Sequence, residues 1–192
     1  MFSSEDGGGS WSFWSISPDG SNLQKMQFPV VRGVAVWSPD GKRVAVSDLS
    51  EIATVTRVFR LDAAADALEE TLPAMPDAKW FVVTAWSPDG TRLAGHCRGG
   101  GIAIYSFAAR RYDQLTDIGQ SPRWFHDGRR LLFKIHSPPK LVVLDLTSRK
   151  TSSVPSPDFL DVISDAQLTR DDSRVYFVRS RVPSSIWTAE MK

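Results

Sequence analysis

The side chains of this sequence that could do chemistry are three histidines, one cysteine and a set of aspartates in similar surroundings. Asp40, Asp89 and Asp127 are each followed by a glycine. Carboxylates of this kind could act as general acids or bases, or could bind a cation. Each one, however, lies in a short polar phrase between two runs of strand-forming residues. We therefore expect turn formation, and not catalysis, at these aspartates.

No motif for nucleophilic catalysis is present. A serine hydrolase of the α/β type would show Gly-x-Ser-x-Gly, with an acidic residue and a histidine further on. The segment Gly8-Gly9-Ser10-Trp11-Ser12 does not satisfy this pattern. The glycines 7–9 also lack the Lys-Ser/Thr pair and the helix of a phosphate-binding loop. The sequence thus predicts no catalytic residue and no enzyme activity.

Metal ligation is not predicted either. His96 and Cys97 are adjacent, and neighbouring side chains on a strand point to opposite faces. His136 follows a comparable apolar run, so His96 and His136 could lie on one rim, where a shared Zn²⁺ site is the minor alternative. We predict no metal and no cofactor.

The elements that must position these residues recur along the chain. Trp37–Gly41 and Trp86–Gly90 both read Trp-Ser-Pro-Asp-Gly, Trp124–Gly128 is a worn copy, and Leu168–Asp172 is a fainter one. Each phrase has an aspartate at its fourth position. These aspartates, Asp40, Asp89, Asp127 and Asp171, lie 49, 38 and 44 residues apart. A repeat of roughly 40 to 50 residues favours the blades of a β-propeller.

Each phrase predicts a tight β-hairpin. Proline holds φ at about −65°, aspartate can bond its own backbone, and glycine accepts the positive φ that closes the turn. Strand-forming residues flank the phrase, and its tryptophan is expected to pack between neighbouring blades. The residues to which we assign this structural role are Trp37, Pro39, Asp40, Gly41, Trp86, Pro88, Asp89, Gly90, Trp124, Asp127 and Gly128.

The phrase, the Lys/Thr-Arg and apolar strand that follow it, and the turn Asp19-Gly20-Ser21-Asn22 resemble the WD40-like (PD40) repeat of TolB-type β-propellers. The resemblance covers nearly the whole chain and is clearest in the phrases at Trp37 and Trp86. It implies an all-β fold, a β-propeller of four-stranded antiparallel blades, and a bacterial protein. It implies little about function, because one such fold hosts many unrelated activities.

The repeats predict a single TolB-like propeller domain over residues 1–192. A partial blade is expected over 1–28, and repeats at about 30–72, 80–115, 121–154 and 160–192. The first segment offers no first strand and the last offers no fourth. The chain is therefore expected either to be part of a larger propeller or to close irregularly with four to five blades. A part would expose aromatic blade faces and self-associate.

Composition narrows the partners. The 192 residues carry a net charge of +1, without the basic patch that nucleic-acid binding needs. No apolar run reaches the roughly 18 residues of a membrane span, and the single cysteine excludes an intramolecular disulfide. No signal peptide is visible at Met1. The resemblance implies the periplasm if the N-terminus is truncated, and the cytoplasm is expected otherwise.

Two surfaces are candidates for binding. Loops between second and third strands should gather on one rim, and first strands should line the channel, where polar residues could meet a ligand. The rim candidates are Arg98, Lys140 and Arg181, and the channel candidates are Arg123, Asp165 and Gln167. Asp165 is the single candidate acid in the channel, which is too few for calcium.

These features predict a non-catalytic interaction or sensor module that binds a protein or peptide partner, with no nucleic acid and no membrane insertion. The resemblance leaves an alternative open. TolB-like propellers also precede peptidase domains of the prolyl-oligopeptidase type, so the chain could be the gating propeller of a serine peptidase or another hydrolase, whose catalytic domain this sequence lacks.

Overall fold

A computed structural model describes residues 2–5, 11–26, 28, 32–49, 54–61, 67–78, 80–155, 162–180 and 185–190. These residues form eighteen β-strands and one 3₁₀ turn at Pro76–Ala78. They belong to two compact units, Met1–Val83 and Thr84–Lys192. Within the described ranges, no helix has the length and apolar character needed to cross a membrane.

The first unit contains two antiparallel sheets. The first sheet has the order β1-β2-β3 and the second has the order β4-β5-β6-β7, so each is a meander of consecutive strands. Their strands are β1 (Phe2–Glu5), β2 (Trp11–Ser15), β3 (Gln24–Met26), β4 (Gly33–Trp37), β5 (Arg43–Asp48), β6 (Val55–Arg60) and β7 (Ala67–Thr71).

Three more meanders follow, and the first strand of the third sheet begins in the first unit and ends in the second. The orders are β8 to β11, β12 to β15, and β16 to β18. The strands are β8 (Phe81–Trp86), β9 (Arg92–Cys97), β10 (Ile102–Ser106), β11 (Arg111–Gln114), β12 (Gln120–Trp124), β13 (Arg130–His136), β14 (Pro139–Asp145), β15 (Thr151–Ser153), β16 (Val162–Leu168), β17 (Arg174–Ser180) and β18 (Ser185–Glu190).

Four-stranded antiparallel sheets are what the repeat predicts, and the expectation is confirmed in the second, third and fourth sheets. The strand Ala67–Thr71 shows why the repeat is a better guide than local propensity. Residues 63–70 are rich in alanine and glutamate and favour a helix in isolation. Their last part nevertheless pairs with β6, because the fourth position of the repeat offers an open strand edge.

The hydrophobic core lies between successive sheets. In the first unit, Phe13 and Phe28 pack against Val44, Val46 and Phe59 of the second sheet. In the second unit, one cluster joins the third and fourth sheets and another joins the fourth and fifth. Burying both faces of the fourth sheet in this way explains the near-continuous apolar run of β13.

The tryptophans of the phrase do not share one role. Trp124 is buried and packs with Ile102 of the third sheet, as predicted. Trp86 is also buried, but it stacks on Phe107 of its own sheet with ring centroids 5.4 Å apart. Trp37 is 37% exposed, so it is less buried than the other two tryptophans. The reason is an open pocket that Trp37 borders.

We call the turn between the first and second strands of a sheet a corner. In the two Trp-Ser-Pro-Asp-Gly phrases, one serine hydroxyl closes this corner. Ser87 Oγ donates to Asp89 Oδ1 at 2.5 Å and accepts from the backbone N–H of Arg92 at 2.9 Å. Asp89 Oδ1 also accepts from the N–H of Thr91 at 3.0 Å. The same three bonds occur at the corner around Ser38. The predicted turn role of Asp40 and Asp89 is therefore what the geometry shows.

In the two less regular phrases, other side chains make the hydrogen bonds that close the corner. At the fourth copy, Thr169 replaces serine and makes both bonds, to Asp171 and from Arg174. At the third copy, Phe125 stands in the serine position and cannot make them. Asp127 compensates, because its Oδ1 accepts from the N–H groups of both Arg129 and Arg130.

Neighbouring corners of the second unit are bonded to each other. Arg92 donates to the carbonyl of Gly128 at 2.9 Å, and its guanidinium lies 4.6 Å from the Trp124 ring centre. His126 lies in the turn of the third phrase. It is half exposed, but its N–H donates to Asp172 Oδ2 at 2.8 Å and its Nδ1 lies 2.9 Å from Oδ1.

Removing the corner hydroxyl should destabilise the fold. We expect Ser87→Ala to lower the free energy of unfolding by about 1–3 kcal/mol, because the part-buried N–H of Arg92 loses its side-chain acceptor, the hydroxyl of the buried Ser87. The measurement is urea denaturation followed by tryptophan fluorescence. Ser152→Ala, on an exposed position of β15, is the matched control. Equal losses in the two variants would show that the corner hydroxyl is not special.

The corner carboxylates predict a loss of stability in acid. Hydrogen bonds from Thr169 and Ser173 lower the pKa of Asp171 to about 2, and the Ser38 hydroxyl lowers the pKa of Asp40. A lowered folded pKa stabilises the protein above the unfolded value of 3.8, and this contribution disappears as the pH falls towards about 2. Asp171→Asn should therefore lose stability relative to the wild type at neutral pH.

Thermal unfolding across the acid range tests this expectation. The difference in melting temperature between wild type and Asp171→Asn should shrink as the pH falls through the window from 3.8 to about 2. A difference that stays constant across the same window would contradict the role of the charged carboxylate.

Two glycines between β9 and β10 differ in what an added side chain would meet. At both, the backbone conformation would be strained, and at one of them a Cβ would also clash. Gly99 and Gly101 both have positive φ, 90° and 104°. A Cβ at Gly101 would lie 2.5 Å from the carbonyl oxygen of Thr116, whereas a Cβ at Gly99 would meet open space. Gly99→Ala should cost about 1–3 kcal/mol through backbone strain alone, and Gly101→Ala more. Equal unfolding free energies for the two variants would contradict the clash.

Candidate functional site

Three polar residues predicted from the sequence lie together in the second unit. Arg123 is on β12, and Asp165 and Gln167 are on β16, the first strands of the fourth and fifth sheets. Arg123 Nη2 lies 3.3 Å from Asp165 Oδ1. With its carbonyl oxygen turned to the guanidinium, Gln167 accepts from Nη2 and Nε of Arg123, both at 3.1 Å.

Arg123 also contacts the third sheet, in addition to the fourth and fifth. Its Nη1 donates to the backbone carbonyl of Thr84 on β8, and the Thr84 hydroxyl donates to the carbonyl of Pro122 at 2.9 Å. One arginine thus connects the first strands of three successive sheets. Because these contacts hold the guanidinium from several sides, it is oriented before any ligand arrives.

Both first strands are irregular just before their site residue. The pairing of β12 with β13 shifts between Gln120 and Arg123, where Ser121 has a φ of 51°. The pairing of β16 with β17 shifts between Ile163 and Asp165. A bulge turns the following side chain away from the direction that regular alternation would give. The two irregularities therefore help to decide where Arg123 and Asp165 point.

Lys134 and His96 complete this group, which we name the inner-strand cluster (His96, Arg123, Lys134, Asp165 and Gln167). Lys134 lies on β13 and is 8% exposed. Burial lowers the pKa of Lys134, the charge of Asp165 opposes that shift, and Arg123 adds to it. Burial and the charge of Lys134 lower the pKa of His96. His96 is therefore neutral at neutral pH.

The inner-strand cluster carries more positive than negative charge. Two cations, Arg123 and Lys134, face one carboxylate, that of Asp165. The Nδ1 atom of His96 is buried and has no hydrogen-bond partner in the described part of the chain. The Arg123 side chain is 22% exposed and that of Asp165 is 49% exposed, so the cluster is open to solvent. Its chemistry suits an anionic group, because a guanidinium binds a carboxylate through two parallel bonds.

The polar surface continues along β13 from the cluster. His136 is two residues beyond Lys134, so the two side chains share one face of the strand. His136 Nε2 lies 2.8 Å from Gln120 Oε1 on the neighbouring strand. Among the residues with described positions, no group of three or more His, Cys, Asp and Glu could hold a metal ion.

The rim residues predicted from the sequence are only partly placed. Arg98 is exposed in the turn after β9, and Lys140 is half-buried near the start of β14. Arg181 lies outside the described residues. A binding role for these three residues stays a prediction.

Sequence reasoning missed two members of the cluster. Lys134 interrupts the apolar run of β13, and a lysine at a strand position that is otherwise buried is a usable signal. The sequence indicates His96 only as a possible metal ligand. The contact of Arg123 with Thr84 cannot be predicted from the residue type, because it uses the backbone carbonyl of Thr84.

No family model matches this sequence, and no relative is found among curated proteins. Solved structures do match. The structure of a putative TolB from Agrobacterium tumefaciens has a TM-score of 0.73 and 16% identity over 95% of this chain and 70% of that one. TolB from Acinetobacter baumannii has a TM-score of 0.70 and 15% identity over 94% of this chain and 46% of that one.

A third match is the tricorn protease, with a TM-score of 0.58 and 12% identity. It covers 89% of this chain but only 17% of that one. At such low identities these likenesses show the fold alone, and they confirm it as a β-propeller with four-stranded antiparallel blades. The chain spans less than half the length of the Acinetobacter and tricorn proteins.

Proposed function

We propose that this chain is a non-catalytic β-propeller module that binds a protein or peptide partner, and that the inner-strand cluster receives an acidic group of that partner. The observation that carries the proposal is the position of Arg123, which is bonded to the first strands of two neighbouring sheets and remains partly exposed. The TolB likeness supports an interaction role through the shared fold.

The charges of the cluster make an acidic group the best ligand. Lys134 is largely removed from water, which weakens its hydration and strengthens its attraction to an incoming carboxylate. Arg123 supplies a planar donor group that is already oriented. Asp165 offsets only one of the two cations. A carboxylate bound here would interact favourably with both Arg123 and Lys134.

The rim would contribute at longer range. Arg98 is exposed at one connection between second and third strands, and Lys140 is partly exposed beside another. Cations on such loops raise the local concentration of an acidic partner and speed association. We assign them a steering role, which is sensitive to salt, and we assign orientation and affinity to Arg123 and Lys134.

The gating propeller of a hydrolase is a second candidate. The observation that favours it is the structural match to the tricorn protease. Under this alternative the chain would control access to a catalytic domain on another part of the protein. Reading the coding sequence on both sides of this segment separates the candidates, because an adjoining in-frame hydrolase sequence supports the gate.

An acidic peptide tests the proposed function. We expect a fluorescein-labelled peptide of Gly-Ser-Glu repeats to bind the wild-type chain, and its Gly-Ser-Gln counterpart to bind at least about fivefold more weakly. Arg123→Gln should weaken binding of the Glu peptide by about tenfold, because it removes a charged donor of the cluster. The measurement is fluorescence anisotropy at low salt and again at physiological salt.

Arg170→Gln is the matched control, since Arg170 is an exposed arginine on a corner and should leave binding unchanged. Unfolding temperatures of both variants establish that they fold. Equal affinity for the Glu and Gln peptides, or no effect of Arg123→Gln, would discard the inner-strand cluster as the acceptor. Cleavage of either peptide by the purified chain would overturn the non-catalytic assignment.

A further inference from the structure

A second cationic feature of the second unit is a pocket between the third and fourth sheets. Its volume is about 320 Å³, at the lower end of the range of roughly 300–1,000 Å³ for small-molecule sites. Ile104, Leu115 and Leu146 supply apolar surface, and three arginines and one aspartate supply the charge. None of these residues belongs to the inner-strand cluster.

Two strands of the third sheet form one wall. Ile104 pairs with Asp113, and Ser106 pairs with Arg111, across the ladder between β10 and β11. Directly paired residues share a face, and so do residues two apart on one strand. The third sheet therefore presents Ile104 beside Asp113 and Arg111 on the face towards the pocket.

A turn of the fourth sheet forms the opposite wall. Asp145 Oδ1 accepts from the N–H groups of Thr147 and Ser148 at 3.0 and 2.7 Å. Arg149 then adopts a φ of 58°, and its Nη2 donates to Asp113 Oδ2 at 2.6 Å. The ion pair spans from one sheet to the other, which places the Arg149 guanidinium at the pocket.

The three arginines of the pocket differ in their hydrogen-bond and ionic partners. Arg92 is engaged by the carbonyl of Gly128 and by the Trp124 ring. Arg149 is paired with Asp113. The guanidinium of Arg111, in contrast, has no ionic or hydrogen-bond partner among the residues that the structure describes. The pocket thus has an excess of positive charge and one cation available for a ligand.

The arginines are not a requirement of the fold. A corresponding pocket of about 400 Å³ lies between the first and second sheets of the first unit, where Leu61 takes the place of Leu146. Both leucines follow a third strand and donate to a corner carbonyl, at 2.8 and 2.9 Å. Among the described residues that line that pocket, Lys25 is the one cation, and Trp37 and Met26 border it. The clefts are equivalent, whereas their charge is not.

We propose that the pocket between the third and fourth sheets binds a small organic acid, a monocarboxylate with a compact apolar body. The apolar body lies against Ile104, Leu115 and Leu146, and the carboxylate is bound by Arg111 with support from Arg149. A monoanion fits because Asp113 repels a second negative charge. This site is independent of the partner binding proposed above, since it shares no residue with the inner-strand cluster.

The probe is 2-naphthoate, with 2-naphthamide as its neutral counterpart, added to the ¹⁵N-labelled full chain. We expect a dissociation constant on the order of 1 mM for naphthoate, as ordinary efficiencies per atom allow. Chemical-shift changes should centre on the amides of Leu115, Leu146 and Arg111, and naphthamide should bind at least about fivefold more weakly. Arg111→Glu should weaken naphthoate binding by at least about tenfold.

Two further variants test whether the ligand occupies the pocket itself. Ala109→Trp, at an exposed position on the pocket lining, should abolish binding by filling the space. Arg170→Glu should leave binding within about twofold, because it reverses an exposed arginine outside the pocket. Equal binding of naphthoate and naphthamide, shifts centred on Arg123, or no shift at all would each overturn the proposal. Full binding by Ala109→Trp would do the same.

Discussion

The hydroxyl group at the Ser38, Ser87 and Thr169 corners, whose place the Asp127 carboxylate takes at the third corner, makes the contacts on which the rest of the structure depends. It accepts from the arginine N–H five residues later and donates to the aspartate two residues later, so it ends one strand and starts the next. Because side chains alternate along a strand, a corner shifted by one residue would exchange the buried and exposed faces of both strands. The apolar runs that fill the space between sheets can be buried only if the corners hold this register.

Three of the five members of the inner-strand cluster lie on first strands, where backbone carbonyls also accept hydrogen bonds. The carbonyls of Thr84 and Pro122 both take part in contacts between neighbouring first strands. Arg123 donates to the Thr84 carbonyl and to the side chains of Asp165 and Gln167, which compensates for its partial burial. The irregularities of β12 and β16 also aim Arg123 and Asp165 towards one another. Structural need and binding capacity therefore coincide in the inner-strand cluster.

The candidate site was predictable in part. Arg123, Asp165 and Gln167 follow from the repeat, because each occupies a polar position on a first strand. Lys134 and His96 do not, since they lie on second strands, which the repeat assigns to packing. Their membership depends on how deeply those strands are buried, and this is a property of the neighbouring sheets. The arginine pocket was missed entirely, because Arg111 and Arg149 come from different repeats and neither belongs to the phrase.

What the sequence by itself determined is local: the position of every corner, the order of the strands and the role of the corner aspartates. These features depend on hydrogen bonds between residues two to five positions apart, which a short phrase specifies completely. Tertiary structure decided the different environments of Trp37, Trp86 and Trp124, and brought Arg123 to Asp165 across 42 positions of the chain. One phrase can have three outcomes because the environment of its tryptophan is made by the adjacent sheet, whose residues the phrase does not contain.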